Sequence, residues 1–467
     1  MTTILGEGTV QELREGVRGD VIAPGDPFYD EARAVWNGMI DKRPALILRA
    51  IGVADVLAAV QFARSQDLEL AIRGGGHSLP GFSTSDGGMV LDLGRMKGIR
   101  IDPVRQRAVA EAGVTWREFD HETQAFGLAV TGGLVSSTGV AGFTLGGGIG
   151  WLMRRYGLTC DNLIAADVVT ADGRLVRASA DENPDLFWGL RGGGGNFGVV
   201  TSFEFQLHRV GPTVLAGPIF YPGDQAAEVL SGYRDYASTL PDDMTTLANL
   251  ASAPPLPFLP PDVHGKPIVV VVGVYAGSPD DGMDLAAPLR RLGTPIADLL
   301  GPMPYATIQS LLDPLYAAGA RNFFKSGYLA NLPDDSIETL TRFQLAAPSP
   351  SSEIHLHQFG GAVARVADGE TAFGSRSAPW VVNTVARWTD PSTDDVQMAW
   401  ARDLYAALEP YCASGTYVNF LSAGDDRVRE AYGPEKYERL ARLKENWDPT
   451  NLFRLNQNVQ PARQVPA

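Results

Sequence analysis

The sequence contains little cysteine and no long apolar segment. Its 467 residues include two cysteines, Cys160 and Cys412, which are too few for a disulfide framework. No apolar run is long enough to span a bilayer, and the N-terminal residues lack the basic and apolar regions of a signal peptide. No Asn-x-Ser/Thr glycosylation acceptor occurs. We therefore expect a soluble protein in a reducing, cytoplasmic compartment.

Positive charge is also scarce. The chain has 39 Lys and Arg residues against 54 Asp and Glu residues, a net charge of −15, and no basic block. This balance argues against nucleic acid or an anionic membrane surface as a partner. The length and the hydrophobic content of 45% are sufficient for one or more full cores and about two or three domains. We expect the partner to be a small molecule.

Three regions differ in their sequence patterns. Between residues 46 and 205 short β-rich segments alternate with helical patterns, as in "ALILRA", a helical stretch, then "LELAIR". Residues 210–410 combine Pro-rich loops with strands such as "IVVVVGVYAG" and helical stretches near 224–239 and 393–410. The chain ends with a helix capped by Asp-Pro and an extended tail. We divide it into residues 1–209, 210–410 and 411–467.

Glycine is abundant in the first region and occurs in three clusters, at residues 74–76, 146–148 and 192–195. Each cluster ends an extended run, where backbone N–H groups can form a nest for an anion such as pyrophosphate. "GGGNFG" at 193–198 matches Gly-x-Gly-x-x-Gly, but "VVTSFEF" after it alternates like a strand, so we do not expect a Rossmann fold. One cluster alone is more often a tight turn, whereas three favour one large phosphate-bearing ligand.

Four segments, in order, resemble the berberine bridge enzyme-like oxidoreductases of the vanillyl-alcohol oxidase superfamily. They are "RPALILRAIGVADVLAAVQFARSQDLELAIRGGGHSLPG", "GLVSSTGVAGFTLGGGIGWLMRRYGLTCDNL", "ADGRLVRASADENPDLFWGLRGGGGNFGVVTSFEF" and "WDPTNLFRLNQNV". The resemblance covers nearly the whole chain. It implies an α+β fold with a PCMH-type FAD-binding domain of two α+β lobes and a substrate domain whose antiparallel sheet covers the flavin. The C-terminal segment is expected to return to the FAD domain.

The resemblance also implies how FAD is bound. In the family, the loop that matches "RGGGHS" wraps the pyrophosphate, and the histidine corresponding to His77 is bonded covalently to the 8α-methyl group of the flavin. Histidine suits this role because its ring can be neutral and nucleophilic near pH 7. Many relatives add a cysteinyl bond from the next loop, where this chain has Val135 or Ser136. We therefore expect one covalent histidyl link and no cysteinyl link, and we interpret Cys160 as a packing residue.

Further FAD-contacting positions are carried over from the matching segments. Arg73 is expected to offset phosphate charge, and Ser78 to donate to a phosphate oxygen. The other positions are Gly74, Gly75, Gly76, Gly81, Ser137, Thr138, Gly139, Gly142, Gly148, Asn196, Gly198, Val200, Asn456 and Asn458.

The implied chemistry is hydride transfer from a substrate C–H bond to flavin N5, with a general base that removes a proton from the adjacent O–H or N–H. Tyr417 in "YVNF" matches a Tyr-x-Asn-Tyr/Phe motif whose first tyrosine is a base or a substrate contact in relatives. In a strand, Asn419 would lie on the same face as Tyr417. A packed core tyrosine is an equally good interpretation.

A second candidate group is the histidine pair in "EIHLHQFGG". His355 and His357 alternate with apolar residues, so a strand would project both imidazoles from one face. The resemblance places them where relatives contact substrate. A solvent-facing pair is the alternative, and no third ligand at suitable spacing supports a metal site. His121, His208 and His264 have no supporting context.

The expected function is that of an FAD-dependent oxidase. The enzyme would oxidise an alcohol or amine group of a small molecule or secondary metabolite, with dioxygen as the acceptor. The alternatives are a dehydrogenase with another acceptor and a non-catalytic flavin-binding scaffold. Residues 250–265 and 320–329 are candidates for the walls of the substrate pocket.

Overall fold

The computed structural model describes residues 6–464. Five residues of the predicted first region and three of the predicted last region lie outside the described residues. The strands up to residue 210 are β1 to β11, at Asp20–Ile22, Leu46–Arg49, Leu70–Arg73, Met89–Asp92, Ile99–Asp102, Arg107–Glu111, Leu128–Ala129, Leu163–Val169, Leu175–Ser179, Val199–Gln206 and His208–Arg209. The helices of this region are α1 to α7, at Glu7–Gly16, Tyr29–Arg33, Val53–Ser65, Trp116–Gln124, Val140–Leu145, Met153–Tyr156 and Pro184–Leu190.

These elements form two main sheets. The first has the order β1-β2-β4-β3, with β2, β4 and β3 parallel and α3 connecting β2 to β3. The second is antiparallel, with the order β5-β6-β10-β8-β9. The strand β10 follows the third glycine cluster directly. The prediction that this cluster does not open a Rossmann helix is therefore confirmed.

The rest of the chain is built on one large sheet. Its strands are β12 to β20, at Thr213–Pro222, Met244–Ser252, Pro267–Tyr275, Ala297–Asp298, Gly301–Pro304, Arg321–Leu329, Glu353–Gln358, Trp380–Trp388 and Cys412–Ala413. Helices α8 to α15 lie at Ala226–Ala237, Pro279–Ala286, Tyr305–Gln309, Asp334–Leu345, Ala362–Arg365, Asp394–Leu408, Val428–Tyr432 and Pro434–Trp447. The strand order is β15-β12-β14-β13-β18-β19-β17-β20, with β16 also paired to β12, and all pairs are antiparallel. The predicted α+β fold with an antiparallel sheet is confirmed.

The two faces of this sheet have different partners. Ile354 and Leu356 of β18 pack in one core cluster with Val382 of β19 and with apolar residues of helices α8, α11 and α13. Because successive side chains of a strand point to opposite faces, His355 and His357 are directed to the other face. That face covers the first region of the chain.

The C-terminal residues pack against the first region. Leu440, Phe453 and Val459 share a core cluster with residues of β2, β3, β4 and β10. Helix α15 ends at Trp447, and the carboxylate of Asp448 accepts the N–H groups of the next turn, as the Asp-Pro signal predicts. The limits of the three predicted domains stay a prediction.

Two further observations concern the cysteines and the helices. Cys160 is buried and Cys412 is half-buried, and both are free thiols. Burial raises the pKa of the Cys160 thiol, which is consistent with a packing role. Within residues 6–464 we find no helix whose length and apolar character would suit a membrane crossing.

Candidate active site

A cavity of about 350 Å³ separates the first region from the His355 face of the large sheet. The glycine loops line one side of it, and β18, β19 and the segment around residue 417 line the other. The predicted site residues that line it are Gly74, Gly75, Gly76, His77, Ser78, Val135, Thr138, Gly139, Gly142, Gly198, Val200, His355, His357, Tyr417, Asn419 and Asn456. Residues far apart in the sequence therefore meet in one site.

The loop after β3 presents free backbone donors to this cavity. Within the described residues, the N–H groups of residues 74–78 donate to no protein acceptor. Gly76 has a φ of +72°, a conformation that glycine adopts without strain. A Cβ atom on Gly75 would lie 2.3 Å from the backbone nitrogen of Gly139, so the two loops are in contact. Unpaired amides at a cavity wall suit an anionic group such as a pyrophosphate.

His77 lies at the end of this loop, with its ring held between aromatic and hydroxyl groups. Its ring stacks on the indole of Trp36, with the centroids 4.9 Å apart and the planes 16° apart. Ser137 Oγ is 3.0 Å from Nε2, and Thr138 Oγ1 is 3.5 Å from Nδ1. Burial lowers the pKa of His77 to about 4. The ring is therefore neutral at pH 7, as a nucleophile must be.

Several predicted cofactor residues lie behind the cavity wall. The guanidinium of Arg73 is buried and donates to the carbonyl oxygens of Ser83 and Ala32, and its burial lowers its pKa. Ser136 is bonded to Asp313 on the other side of its loop. The structure thus does not bring Arg73 or Ser136 into the cavity wall.

Asn196 and Asn456 connect the third glycine cluster to the C-terminal tail. The side chain of Asn196 donates to Gly193 O at 2.8 Å and accepts the Val459 N–H at 2.9 Å. Asn456 donates to Gly195 O at 3.1 Å. Gly81, Gly148 and Asn458 also lie outside the cavity wall, and Asn458 Oδ1 is buried with no hydrogen-bond partner in the described part of the chain.

The side chains of Tyr417 and Asn419 are in contact, but the prediction that the two residues lie in a strand is wrong. Residues Val418–Phe420 form a single 3₁₀ turn, in which Phe420 N–H donates to Tyr417 O at 2.9 Å. The turn still brings the side chains together, because Asn419 Nδ2 donates to the Tyr417 hydroxyl oxygen at 2.9 Å. The N–H of Gly148 donates to the same oxygen at 3.0 Å. Tyr417 is only 1% exposed, and burial raises its pKa despite these two donors.

The histidine pair lines the cavity as the alternation predicts. His355 and His357 lie on β18 with their ring centroids 5.7 Å apart, and both are buried rather than solvent-facing. Burial, together with the neighbouring His355, keeps the pKa of His357 well below its usual value, so its ring is neutral. His357 Nε2 has no hydrogen-bond partner among the described residues.

Sequence reasoning missed several residues of the wall. Many are aliphatic, and the others include the aromatic Trp36, Phe143, Tyr316 and Phe420 and, on β19, the polar Asn383. Phe324 falls in the segment 320–329 that was proposed for the pocket wall. Asn383 pairs with His355 across two adjacent strands, so only the strand register brings it to the site. A lone aromatic residue in a loop carries no local signal of such a position.

The cavity wall is electrically neutral. Among the described residues that form it, none is an Asp, Glu, Lys or Arg. We also find no cluster of His, Cys, Asp and Glu within residues 6–464 that could hold a metal ion. The wall thus combines free backbone donors at one end with apolar, aromatic and neutral polar groups at the other.

Two family models match the chain. One is described as "FAD binding domain" and matches residues 44–179, and the other is described as "Berberine and berberine like" and matches residues 416–460. The first includes the loop of His77, and the second begins one residue before Tyr417. Both halves of the cavity thus fall partly within matched segments.

Full-length relatives show the same similarity. The chain is 33% identical to the (R)-6-hydroxynicotine oxidase of Paenarthrobacter nicotinovorans, over 95% of this chain and 97% of that protein. It is 32% identical to an FAD-linked oxidoreductase of Dictyostelium discoideum, over 97% of each chain.

Among solved structures, 6-hydroxy-D-nicotine oxidase from Arthrobacter nicotinovorans superposes with a TM-score of 0.86 at 31% identity, covering 95% of this chain and 98% of that one. The xylooligosaccharide oxidase from Myceliophthora thermophila superposes with a TM-score of 0.84 at 25% identity, covering 97% and 99%. On these similarities over almost its entire length, the chain belongs to the berberine bridge enzyme-like family of FAD-linked oxidoreductases.

Proposed function

We propose that this enzyme is an oxidase with FAD bonded to His77, which oxidises an alcohol or amine group on a compact, largely apolar molecule. One observation carries the proposal. A neutral histidine lies in a single cavity between free backbone donors on one side and the cluster of His355, His357 and Tyr417 on the other.

The residues present fit the cofactor. The free N–H groups of residues 74–78 suit its pyrophosphate. Gly195 of the third glycine cluster and Asn456 of the C-terminal tail line the same cavity. The neutral ring of His77 offers a lone pair for one covalent bond, and the hydroxyls of Ser137 and Thr138 orient the ring. When bound, FAD supplies an acceptor for a hydride equivalent from the substrate.

The neutral wall limits the substrate. At the end of the cavity lined by His355 and His357, beyond the free N–H groups of residues 74–78, a carboxylate or phosphate of the substrate would lose its hydration without meeting a cationic side chain, and that loss costs several kcal/mol. The aromatic groups of Trp36, Tyr316, Phe324 and Phe420 instead favour a flat apolar body. The names of two relatives refer to hydroxynicotine and to xylooligosaccharide. These aromatic contacts favour an alcohol or amine on an apolar ring over a sugar chain, with the polar side chains of His355, His357 and Tyr417 left for its heteroatom.

Tyr417 acts in this proposal as a hydrogen-bond donor. Its oxygen already accepts two N–H groups, and its raised pKa means that the hydroxyl keeps its proton at pH 7. That proton is available to a substrate heteroatom in the cavity. Asn419 and Gly148 fix the position of the hydroxyl, and so the direction of this contact.

Dioxygen is the proposed electron acceptor. Support comes from the relatives, since the hydroxynicotine and xylooligosaccharide enzymes are both named oxidases. A dehydrogenase would differ in one measurable property, the rate at which dioxygen restores the absorbance of the reduced flavin.

The cofactor proposal is tested by denaturing the purified protein in acid, washing the pellet and measuring flavin fluorescence and protein mass. The wild-type protein should retain flavin, and the His77→Ala variant should release it. His121→Ala is a matched control, because its side chain is 84% exposed and does not line the cavity. Release of FAD from denatured wild-type protein would refute the covalent bond.

The substrate proposal is tested by screening compounds for flavin bleaching without oxygen. Amines and alcohols on apolar rings should bleach the flavin, and air should restore its colour within seconds. Slow restoration would assign the enzyme to the dehydrogenases, and ligand binding without bleaching would favour the scaffold.

A further inference from the structure

A buried carboxylate lies directly behind His355. Glu353 is on β18, two residues before His355, so the two side chains share a face of the sheet. Glu353 Oε2 is 3.0 Å from His355 Nε2, and the same oxygen accepts a hydrogen bond from Asn249 Nδ2. The two residues are 6% and 5% exposed, and Glu353 is not part of the cavity wall.

The contacts of the His355 ring are unequal at its two nitrogens. Nε2 faces Glu353 and also lies 3.3 Å from the Tyr316 hydroxyl oxygen. Within the described residues, Nδ1 makes no hydrogen bond, although His355 lines the cavity. A carboxylate accepts hydrogen bonds, so the proton of a neutral His355 ring is favoured on Nε2. The lone pair is then on Nδ1.

We propose that Glu353 is a positioning residue that fixes the Nε2–H tautomer of His355, so that His355 Nδ1 accepts the proton released by the substrate. The proposal rests on the proposed function of the same cavity. The substrate O–H or N–H bond breaks, and its proton binds Nδ1. The adjacent C–H bond breaks with its electron pair, and bound oxidised FAD would be the acceptor of that hydride equivalent. The substrate is thereby oxidised to a C=O or C=N compound.

The surroundings of His355 support this assignment. Once Nδ1 takes a proton the ring carries a positive charge, and the carboxylate 3.0 Å from Nε2 stabilises that charge. The neutral groups near the ring are Tyr316, Asn383 and His357. The charged group behind them is the guanidinium of Arg387, which lies over the Tyr316 ring, 5.0 Å from its centroid. His357 differs, because its Nε2 is buried and no group among residues 6–464 forms a hydrogen bond with it.

The decisive variant is Glu353→Met, which removes the oxygen that accepts both Asn249 Nδ2 and His355 Nε2–H. The Tyr316 hydroxyl, 3.3 Å from Nε2, would then donate to Nε2 and favour the Nδ1–H tautomer, which cannot accept a proton from the substrate. We expect the rate of flavin reduction by a substrate to fall by at least about 10²-fold, the usual effect of losing a general base. Glu353→Asp should restore part of the rate.

A matched control is Glu204→Met. Glu204 is another partly buried carboxylate on a strand, where it pairs with Arg107 and Arg177 far from the cavity. This variant should keep the wild-type rate, since it removes a carboxylate without changing the His355 tautomer.

A readout that needs no turnover separates this inference from the proposed function. Nitrogen-15 NMR of histidine-labelled protein reports the tautomer of each ring, and a His355→Gln sample identifies the signal of His355. We expect Nε2–H in the wild type and Nδ1–H in Glu353→Met. Nδ1–H in the wild type, or a folded Glu353→Met variant with the wild-type rate, would overturn the proposal. A protein that no compound reduces, but that has the expected tautomer, would instead refute the proposed function.

Discussion

Replacing Tyr417 by phenylalanine removes one hydroxyl group and leaves the ring in place. The change is sharply defined, because the hydroxyl oxygen accepts the N–H of Gly148 at 3.0 Å and the amide of Asn419 at 2.9 Å. The ring contacts Phe373 and Phe420, with centroids 6.0 and 4.9 Å away, and those contacts are preserved. The variant therefore tests the hydroxyl alone.

Two effects of different size are expected. The Gly148 N–H loses its partner in a buried site, which should lower the free energy of unfolding by about 1–3 kcal/mol. In the reaction, the substrate loses a donor to a heteroatom whose charge changes. Such a hydrogen bond contributes about 1.5–3 kcal/mol, so the rate of flavin reduction should fall roughly 10- to 150-fold.

The assay is anaerobic stopped-flow measurement of flavin reduction, together with the flavin spectrum and thermal unfolding. Tyr328→Phe is the matched control, because Tyr328 is a buried tyrosine of the same core cluster that lies outside the cavity wall. Its hydroxyl has no hydrogen-bond partner among the described residues. We expect the control to reduce its flavin at the wild-type rate.

An unchanged rate in Tyr417→Phe, with a normal spectrum, would remove Tyr417 from the mechanism. An equal loss of rate in both variants would show that the effect comes from packing in the shared cluster rather than from the Tyr417 hydroxyl.

Three further predictions concern cofactor loading and stability. Gly75→Ala should give protein that retains little FAD after purification, because the new Cβ would lie 2.3 Å from the Gly139 backbone nitrogen. The control Gly369→Ala, whose Cβ would meet no atom within 4 Å, should bind FAD as the wild type does. Burial raises the pKa of Asp120 to about 7, so the free energy of unfolding should fall by on the order of 4 kcal/mol as the pH rises from 4 to 7. Asp120→Asn should remove this pH dependence in thermal unfolding. Lys444→Met should lower the free energy of unfolding, measured by chemical denaturation, by about 3–5 kcal/mol, because it leaves the buried Asp448 carboxylate without its cationic partner. A double variant with Asp448→Asn should recover part of this loss.

Local sequence determined the parts of the site that depend on local chemistry. The glycines after β3 predicted a loop whose backbone N–H groups are open to a ligand, because only glycine leaves the backbone free for so close an approach. The loop does line the cavity, and those N–H groups are unpaired among the described residues. Alternation in "EIHLHQ" determined that His355 and His357 share the face opposite to Ile354 and Leu356, because the side-chain period of a strand is two residues.

The same local reasoning was wrong for "YVNF". The apolar and polar residues alternate there as in a strand, but the segment forms a 3₁₀ turn. Asn419 reaches Tyr417 because the turn folds its side chain back, and Gly148, distant in sequence, contributes a second donor to the same oxygen. A period of two residues over four positions is too short to distinguish a turn from a strand.

Tertiary structure alone decided which groups surround the reactive end of the cavity. Trp36 reaches His77 from an N-terminal loop, and Asn383 reaches His355 through the register of β18 and β19. Glu353 is close to His355 in sequence, but only the folded chain places Asn249 of β13 against its carboxylate and the Tyr316 hydroxyl beside the same imidazole nitrogen, Nε2. Sequence specifies which face of a strand a side chain occupies, whereas the pairing of distant strands and loops determines which groups it meets there.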